Sequence, residues 1–373
     1  MSPREDFMLA RGIYLLNHSV GPPLKTTESH FKQAFLTPWQ DSNTEPWPTW
    51  LDSVEHFTHA LSQLFNGQSE DFCPQVNLSG ALTKLVMSLP RLQRDSTVIL
   101  MSENDFPSMR YALERAIMPS SEIRFIPSEL DTTNANVWEA HITSDVDLVF
   151  ASHAYSNTGA IAPLASIIEL AKAQGALTLV DAAQSAGIVP INLSALNPDF
   201  LIGSSVKWLC GGPGAAYLWV HPDLVDDCRP RDVGWFSHED PFEFDIHSFR
   251  ERPKALKFWG GTPSVAPFVI AANSIDYFAS HGSNKLREHN QRLIDKIVAA
   301  FEVDLISPLD TEKRSGTAVL HFQGRQQQAI ESLKRANISV DSRTQGIRIS
   351  PHIYNSEEDI EQLINCIKSE LIS

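Results

Sequence analysis

The sequence predicts an α/β fold in which a mainly parallel, doubly wound sheet is followed by a smaller α/β domain, and three observations carry that expectation. Short, nearly unbroken apolar runs at STVILM (96–101), VDLVFASH (146–153) and ALTLVDAAQ (176–184) have the pattern of strands buried on both faces. A helical pattern, LASIIELAKAQG, closes on Gly175 between the second and third runs, and strand, helix, strand at this spacing makes a parallel βαβ unit. From about Phe268 the texture changes to long helical stretches with only brief strand candidates.

WPTWLDSVEHFTHALSQLFNG (47–67) carries apolar residues at helical spacing and stops at Gly67, a residue type favoured at helix C-termini. ALTKLVMSLP is a second helix, ended by Pro90, and DFLIGSSVKW (199–208) is a further strand-like run. Beyond it, VIAANSIDYFASHG and KLREHNQRLIDKIVAAF are helices, TAVLHF (317–322) and GIRIS (346–350) are strand candidates, and EEDIEQLINCIKSELIS is a last helix. The expected division is an N-terminal segment (1–20), a large domain (21–255) and a small C-terminal domain (256–373).

At 373 residues the chain exceeds what one compact core comfortably holds, and 42% hydrophobic residues supply enough apolar surface for a sizeable core. Lys and Arg total 30 against 45 Asp and Glu, a net charge of -15 that repels phosphate backbones and anionic membranes. Neither nucleic acid nor membrane is therefore an expected partner. No apolar run approaches the roughly 18 residues that span a bilayer, and MSPREDFMLARG lacks a signal-peptide core. The four cysteines (Cys73, Cys210, Cys228, Cys366) have no metal-type spacing and read as reduced thiols. A cytoplasmic enzyme without a metal site is expected.

Ligands of an open parallel sheet gather at the carboxyl ends of its strands. Asp181 stands where ALTLV ends, either as a helix N-cap for AAQSAG or as a functional carboxylate, and Gln184 and Ser185 follow it. DFLIGSSVKW then carries Lys207 to the sheet edge, and the glycines of GGPG permit close approach of backbone to a bound group. A lysine desolvated there has a lowered pKa and offers its neutral amine as a nucleophile, the condition for Schiff-base chemistry; the alternative is a lysine snorkelling to the surface. An acid at one strand end and a lysine at a later one match what pyridoxal 5'-phosphate requires. The carboxylate keeps the pyridine nitrogen protonated, and the amine binds the aldehyde and moves protons.

On these residues the chain resembles the class V aminotransferase superfamily of fold-type I pyridoxal phosphate enzymes, and within it the kynureninase-like branch. The resemblance implies a seven-stranded-type sheet between helices, an N-terminal segment near the active site, and the following roles. In YLLNHSVGPPLK (14–25), His18, Ser19 and Gly21 fall on a turn lining the substrate side. In NLSGALTK (77–84), Ser79 and the amides of Gly80 and Ala81 sit where the cofactor phosphate binds, at a helix N-terminus that favours an anion. In ENDFPSMRY (103–111), Phe106 stacks on the pyridine ring. In SHAYSNTGAI (152–161), Thr158 lies near the cofactor's phenolic oxygen, and Asn157 stands where kynureninases have an arginine. Gln184 replaces the histidine that kynureninases commonly carry one turn after Asp181, and Val206 replaces their tyrosine before Lys207. Ser204 matches the SxxK spacing and reaches the phosphate or positions the lysine. In VGWFSHEDPFEFD (233–245), Trp235 packs near phosphate and substrate, and in GGTPS (260–264) Thr262 reaches the cofactor of a neighbouring subunit, which implies a homodimer with shared sites. In VDSRTQGIRISPHIYNSEEDI (340–360), Arg348 takes the substrate α-carboxylate, while Arg343 reads as structural.

The expectation is an enzyme acting on an amino acid by amino-group transfer or related chemistry. A kynureninase-like hydrolase is the alternative, favoured by GWFSH but lacking the tyrosine, because Val206 has no proton to give. An epimerase-like or desulfurase-like member is a further variant. A desulfurase calls for a nucleophilic cysteine ahead of the final carboxylate-binding strand, and none lies between Cys228 and Cys366. A non-catalytic cofactor-binding protein is disfavoured by the presence of both Lys207 and Asp181.

Overall fold

The computed structural model describes residues 3–41 and 43–372; the first two positions of the expected N-terminal segment lie outside the described residues, as do 42 and 373. The first half contains β1 (Ile13–Tyr14), α1 (Thr27–Phe31), α2 (Thr37–Asp41), α3 (Trp47–Phe65), β2 (Phe72–Gln75), α4 (Leu78–Ser88), β3 (Val98–Ser102), α5 (Pro107–Ala116), β4 (Glu122–Ile126), α6 (Ala135–His141), β5 (Leu148–Ser152), α7 (Leu164–Gln174) and β6 (Leu177–Asp181). The second contains α8 (Leu193–Leu196), β7 (Phe200–Ser204), β8 (Ala216–Val220), α9 (Ala266–His281), α10 (Ser283–Phe301), β9 (Ala318–Leu320), α11 (Gln326–Arg335), β10 (Ile338–Ser339), β11 (Asp341–Arg343), β12 (Gly346–Ile349) and α12 (Glu357–Ile372).

The large sheet has seven strands in the order β2-β8-β7-β6-β5-β3-β4. Neighbours from β7 to β4 are parallel, and β8 alone runs against its neighbours β7 and β2. The reversal follows from chain length: only residues 205–215 join β7 to β8, enough for a hairpin and too few for the crossover that a parallel neighbour requires. β3, β5, β6, β7 and β8 are almost wholly buried, which is why they read as continuous apolar runs. A separate three-stranded sheet, β11-β12-β9, is antiparallel and packs with α10, α11 and α12.

Four local expectations are corrected. The left-handed residue ending α3 is Asn66 (φ 52°), so Gly67 lies one position beyond the cap. AAQSAG forms turns and no helix: the Asp181 carboxylate accepts the Ala183 N–H at 2.8 Å, so Asp181 is no N-cap. The GGPG glycines do not line the cleft described below. Gly212 and Gly214 adopt positive φ in the hairpin turn, and a Cβ on Gly211 would press on Ser205 and the α9 backbone. A boundary at 255/256 assigns α9 to the small domain, yet Phe268, Val269, Ile275 and Phe278 of α9 share the large domain's core with α3.

The N-terminal segment ties the two units together. β1 pairs with β10, Ile13 and Leu15 enter the small domain's core, and Phe7 and Leu24 enter the large one. Gly21 N–H then donates to Val206 O at 2.8 Å, and a Cβ on Gly21 would collide with Lys207 O and Cys210 Sγ. Gly21→Ala is expected to overpack this contact, cost about 1–3 kcal/mol and lower the thermal midpoint by several degrees in calorimetry. An unchanged midpoint would show that the loop yields freely.

Candidate active site

Three strands of the large sheet, β5, β6 and β7, end on one cleft of about 280 Å³, and Ser152, Asp181 and Ser204 line it. Lys207 enters from the turn after β7, Ser79 from the start of α4, Phe106 from the residue preceding α5, and Gln184 from the turn after Asp181. The parallel strands put these residues at one edge because their carboxyl ends all point the same way.

Asp181 is buried, with one oxygen taken up by Ala183 N–H. Burial raises its pKa, against the opposing pull of that N–H and of Lys207. Burial likewise lowers Lys207 to about 8; Asp181 works against this, and the charges of Arg343 and Arg348 add to it. A lysine with that pKa is about 10% neutral at pH 7, against about 0.03% for an ordinary one. Capture of pyridoxal phosphate by the apoprotein, followed by visible absorbance, is therefore expected to quicken about tenfold per pH unit below 8 and to level off above it. A rise continuing to pH 10 would contradict the lowered pKa.

The helix start differs from the expectation. Asn77 caps α4, its side chain accepting from Gly80 N–H at 2.8 Å and its carbonyl from Ala81 N–H at 3.1 Å. The two amides assigned to the phosphate are thus engaged, which leaves the Ser79 hydroxyl and the earlier amides of the first turn as donors to an anion. A larger groove of about 920 Å³ continues past Ser79 along α4 and α5, but neither Lys207 nor Asp181 lines it.

Other expected residues are dispersed. Gln184 lines the cleft and donates to His18 O at 3.0 Å. Asn157 does not line the cleft and donates to Oδ1 of Asn104, which does, at 3.2 Å. Thr158 does not line the cleft: its hydroxyl oxygen accepts Ala160 N–H at 3.3 Å and its carbonyl accepts from Ser307 at 2.7 Å. Ser19 is exposed, with its amide turned to Leu16 O. Trp235 and Thr262 also lie outside the cleft, joined by a 3.2 Å hydrogen bond from Trp235 Nε1 to Thr262 Oγ1.

His18 and Arg348 meet at a residue that the sequence did not flag. Asp341 faces Arg348 across the β11–β12 register and receives its guanidinium through two atoms, Nε at 2.8 Å and Nη2, while Nη1 donates to Ser156 O at 3.1 Å. Although burial opposes it, the hydrogen bonds from His18 and Arg348 hold Asp341 well below the usual carboxylate range. His18 is buried and its pKa is lowered, chiefly by burial and against the pull of Asp341. As a neutral ring it donates from Nε2 to Asp341 at 2.9 Å and accepts the Ser350 hydroxyl at Nδ1, 2.6 Å away. Arg348 is 2% exposed and already has a bidentate carboxylate partner, so the α-carboxylate role expected of it falls to a group whose charge is matched internally.

Asp105, beside Phe106, is a further buried carboxylate that no sequence pattern marks. Its Oδ2 accepts Ser102 N–H at 2.8 Å, and burial raises its pKa to about 7. An alternation of buried and exposed positions does not mark such a carboxylate in a loop. Arg343, expected to be structural, is exposed, and its guanidinium carbon lies 5.8 Å from the centre of the Phe106 ring.

The arrangement suits pyridoxal phosphate. A buried carboxylate with one oxygen remaining, an amine of lowered pKa, an exposed aromatic ring lining the cleft, and two hydroxyls near a helix start match the ring nitrogen, aldehyde, ring face and phosphate of that group. Fold and site together define a fold-type I pyridoxal 5'-phosphate enzyme. Residues 77–363 match the family model described as aminotransferase class-V, and the chain belongs to that family.

Among curated relatives, an uncharacterized aminotransferase of Bacillus subtilis is 24% identical over 87% of this chain and 86% of its own length. Kynureninase of Deinococcus radiodurans is 27% identical over 90% and 83%, and isopenicillin N epimerase of Streptomyces clavuligerus 28% over 83% and 82%. Among solved structures, the apo cysteine desulfurase of Thermococcus onnurineus superposes with a TM-score of 0.88 at 20% identity, covering 100% of this chain and 99% of that one. C-DES, in a mutant with glycine covalently linked to its cofactor, superposes with a TM-score of 0.87 at 17% identity, covering 98% and 99%. At these identities the superpositions speak for the fold alone. Among the described residues no helix is long and apolar enough to cross a membrane, and no cluster of His, Cys, Asp or Glu is placed to hold a metal.

Proposed function

We propose that the protein transfers the amino group of an amino acid, with Lys207 as nucleophile and proton carrier and Asp181 as the partner of the ring nitrogen. The cofactor supplies the aldehyde and an electron-withdrawing ring when bound. The observation that carries the reading is the sparseness of proton-moving groups on the cleft wall. Of its titratable side chains among the described residues, Lys207 alone has a pKa near neutrality that frees an amine: burial pushes the Tyr155 phenol well above its usual value, and Asp181 holds the Ala183 N–H with one oxygen and is left the ring nitrogen for the other. Lys207 Nζ can take the proton from the substrate Cα and return it nearby, which is the requirement of amino-group transfer. Carbon–carbon cleavage calls for a second acid facing the substrate, and Val206 beside the lysine offers none. The thiols of Cys73, Cys210 and Cys228 are buried and their pKa values raised, Cys73 to about 12 and Cys228 to about 11, which disfavours desulfurase chemistry.

Ser79, Ser204, Phe106 and Gln184 hold the cofactor in this reading. Trp235 and Thr262, outside the chain's own cleft but hydrogen-bonded to each other, serve the site of a second subunit in a homodimer, and the open groove along α4 and α5 gives that subunit a place to sit. The protein is expected in the cytoplasm. In a single turnover of the purified holoprotein with a panel of L-amino acids, one equivalent of a keto acid should form as the cofactor gains an amino group. Release of anthranilate from kynurenine, with no keto acid from any panel member, would reverse the assignment in favour of the hydrolase.

A further inference from the structure

Apart from the catalytic cleft, a second cavity of about 290 Å³ opens between α3, β2 and residues 252–259, and the two share no lining residue. Its charges are unmatched. Of the four cations in residues 250–257, Arg250 pairs with Glu239 and Glu243, Lys254 lies 3.9 Å from Asp71, and Lys257 pairs with Glu251 at 2.9 Å. Arg252 alone has, among the described residues, neither an ion pair nor a hydrogen bond from its guanidinium, whose carbon stands 5.8 Å from the centre of the Trp259 ring. Burial lowers its pKa, with Cys73 and Glu55 opposing, so this cation has given up water without gaining a carboxylate. Glu55 and Glu70, both exposed, line the same cavity, and among the described residues neither pairs with Arg252 or any other cation. The other polar groups are engaged: Thr58 Oγ1 donates to Glu55 O at 3.0 Å and shares a 2.9 Å hydrogen bond with Ser69 Oγ. Leu51, Val54, Pro74, Leu256 and Trp259 make the rest of the wall apolar.

We propose that this cavity binds an amino acid with an apolar side chain, Arg252 taking its carboxylate, Glu55 and Glu70 its ammonium, and the apolar wall its side chain. A cation and two anions held apart on one wall fit a ligand that carries both charges. A dianion would face Glu55 and Glu70, and a plain amine would leave the guanidinium unmatched. The planar guanidinium offers two parallel donors to a carboxylate. The volume is at the small end of the range for small-molecule sites, about 300–1,000 Å³, and gives room for a single amino acid. Neither Lys207 nor Asp181 lines the cavity, so its occupant is an effector and not a reactant. The cavity is nonetheless joined to the cleft: Gln75, next to Pro74, donates to Phe258 O at 3.2 Å, and Asn77, two residues further, lines the cleft. The inference goes beyond the amino-group reading of the cleft and does not depend on it.

The test is calorimetry on the full-length holoprotein after borohydride reduction, which fixes the cofactor and closes the cleft to a second amine. L-Phenylalanine and L-leucine should each bind at about one equivalent per chain. L-Phenylalaninamide, without the carboxylate, and N-acetyl-L-phenylalanine, without the ammonium, should bind about 10- to 100-fold more weakly than L-phenylalanine. Arg252→Gln should weaken L-phenylalanine by a similar factor and remove the discrimination against the amide, and Arg252→Lys should recover part of the loss. Glu55→Gln combined with Glu70→Gln should remove the discrimination against the acetyl derivative. These two glutamates are exposed, so that variant carries the same test should Arg252→Gln fail to fold. The cofactor absorbance of unreduced Arg252→Gln should match wild type, which separates loss of this site from damage to the cleft. No binding of either amino acid to wild type, equal binding of L-phenylalanine and both singly charged analogues, or unchanged binding in Arg252→Gln overturns the proposal. None of these results bears on amino-group transfer, which keto-acid formation by the unreduced protein decides separately.

Discussion

Lys207→Ala is expected to lower turnover of any accepted amino acid by about 10³-fold or more, with the cofactor then separable by gel filtration. The side chain combines two tasks, the covalent anchoring of the aldehyde and the carriage of the substrate proton, and among the described residues no other amine lines the cleft to replace it. The fold should survive. A buried amine of lowered pKa is a destabilising feature, and its truncation relieves a desolvation cost while leaving the Gly21–Val206 and Cys210–Lys207 backbone contacts intact. Retention of an inseparable yellow cofactor by the alanine variant, or turnover within tenfold of wild type, would remove Lys207 from the chemistry.

Asp181→Asn is the second large effect, a loss of about 10²- to 10³-fold in turnover. The amide oxygen of asparagine can still accept the Ala183 N–H, so the turn after β6 is kept, but the negative charge that would favour a protonated ring nitrogen is gone. The same substitution has an independent sign. Asp181 raises the Lys207 pKa, so its neutralisation lowers that pKa further, and cofactor capture by the apoprotein should reach its plateau at a lower pH than in wild type. Slower turnover together with a lower capture midpoint separates this electrostatic role from simple damage, which would slow both without moving the midpoint. A midpoint that moves upward would contradict it.

Much of this was legible in the chain. The parallel strands announced themselves because both faces are covered, which leaves no polar alternation, and strand ends in such a sheet are where Asp181 and Lys207 acquire meaning. No apolar pattern marks β8 as reversed, although the brevity of the 205–215 link contains the reason. The amides of Gly80 and Ala81 are engaged within the helix start, because the Asn77 side chain takes the first and the Asn77 backbone carbonyl the second. Thr158 followed a family pattern, but the turn it occupies faces Ser307 and not the cleft.

The sequence by itself determined the sheet, the cofactor and the pair of residues that flank it, because apolar periodicity and strand-end chemistry are local properties read within a few residues. Only the tertiary structure decided which charges are already matched. Asp341 and Arg348 are seven residues apart, and the antiparallel register of a hairpin places them opposite each other; His18 arrives at the same carboxylate from 323 residues away. Whether a charge is available to a ligand depends on such neighbours, since a guanidinium already matched by a carboxylate presents little field to a third group, and no pattern along the chain records that pairing.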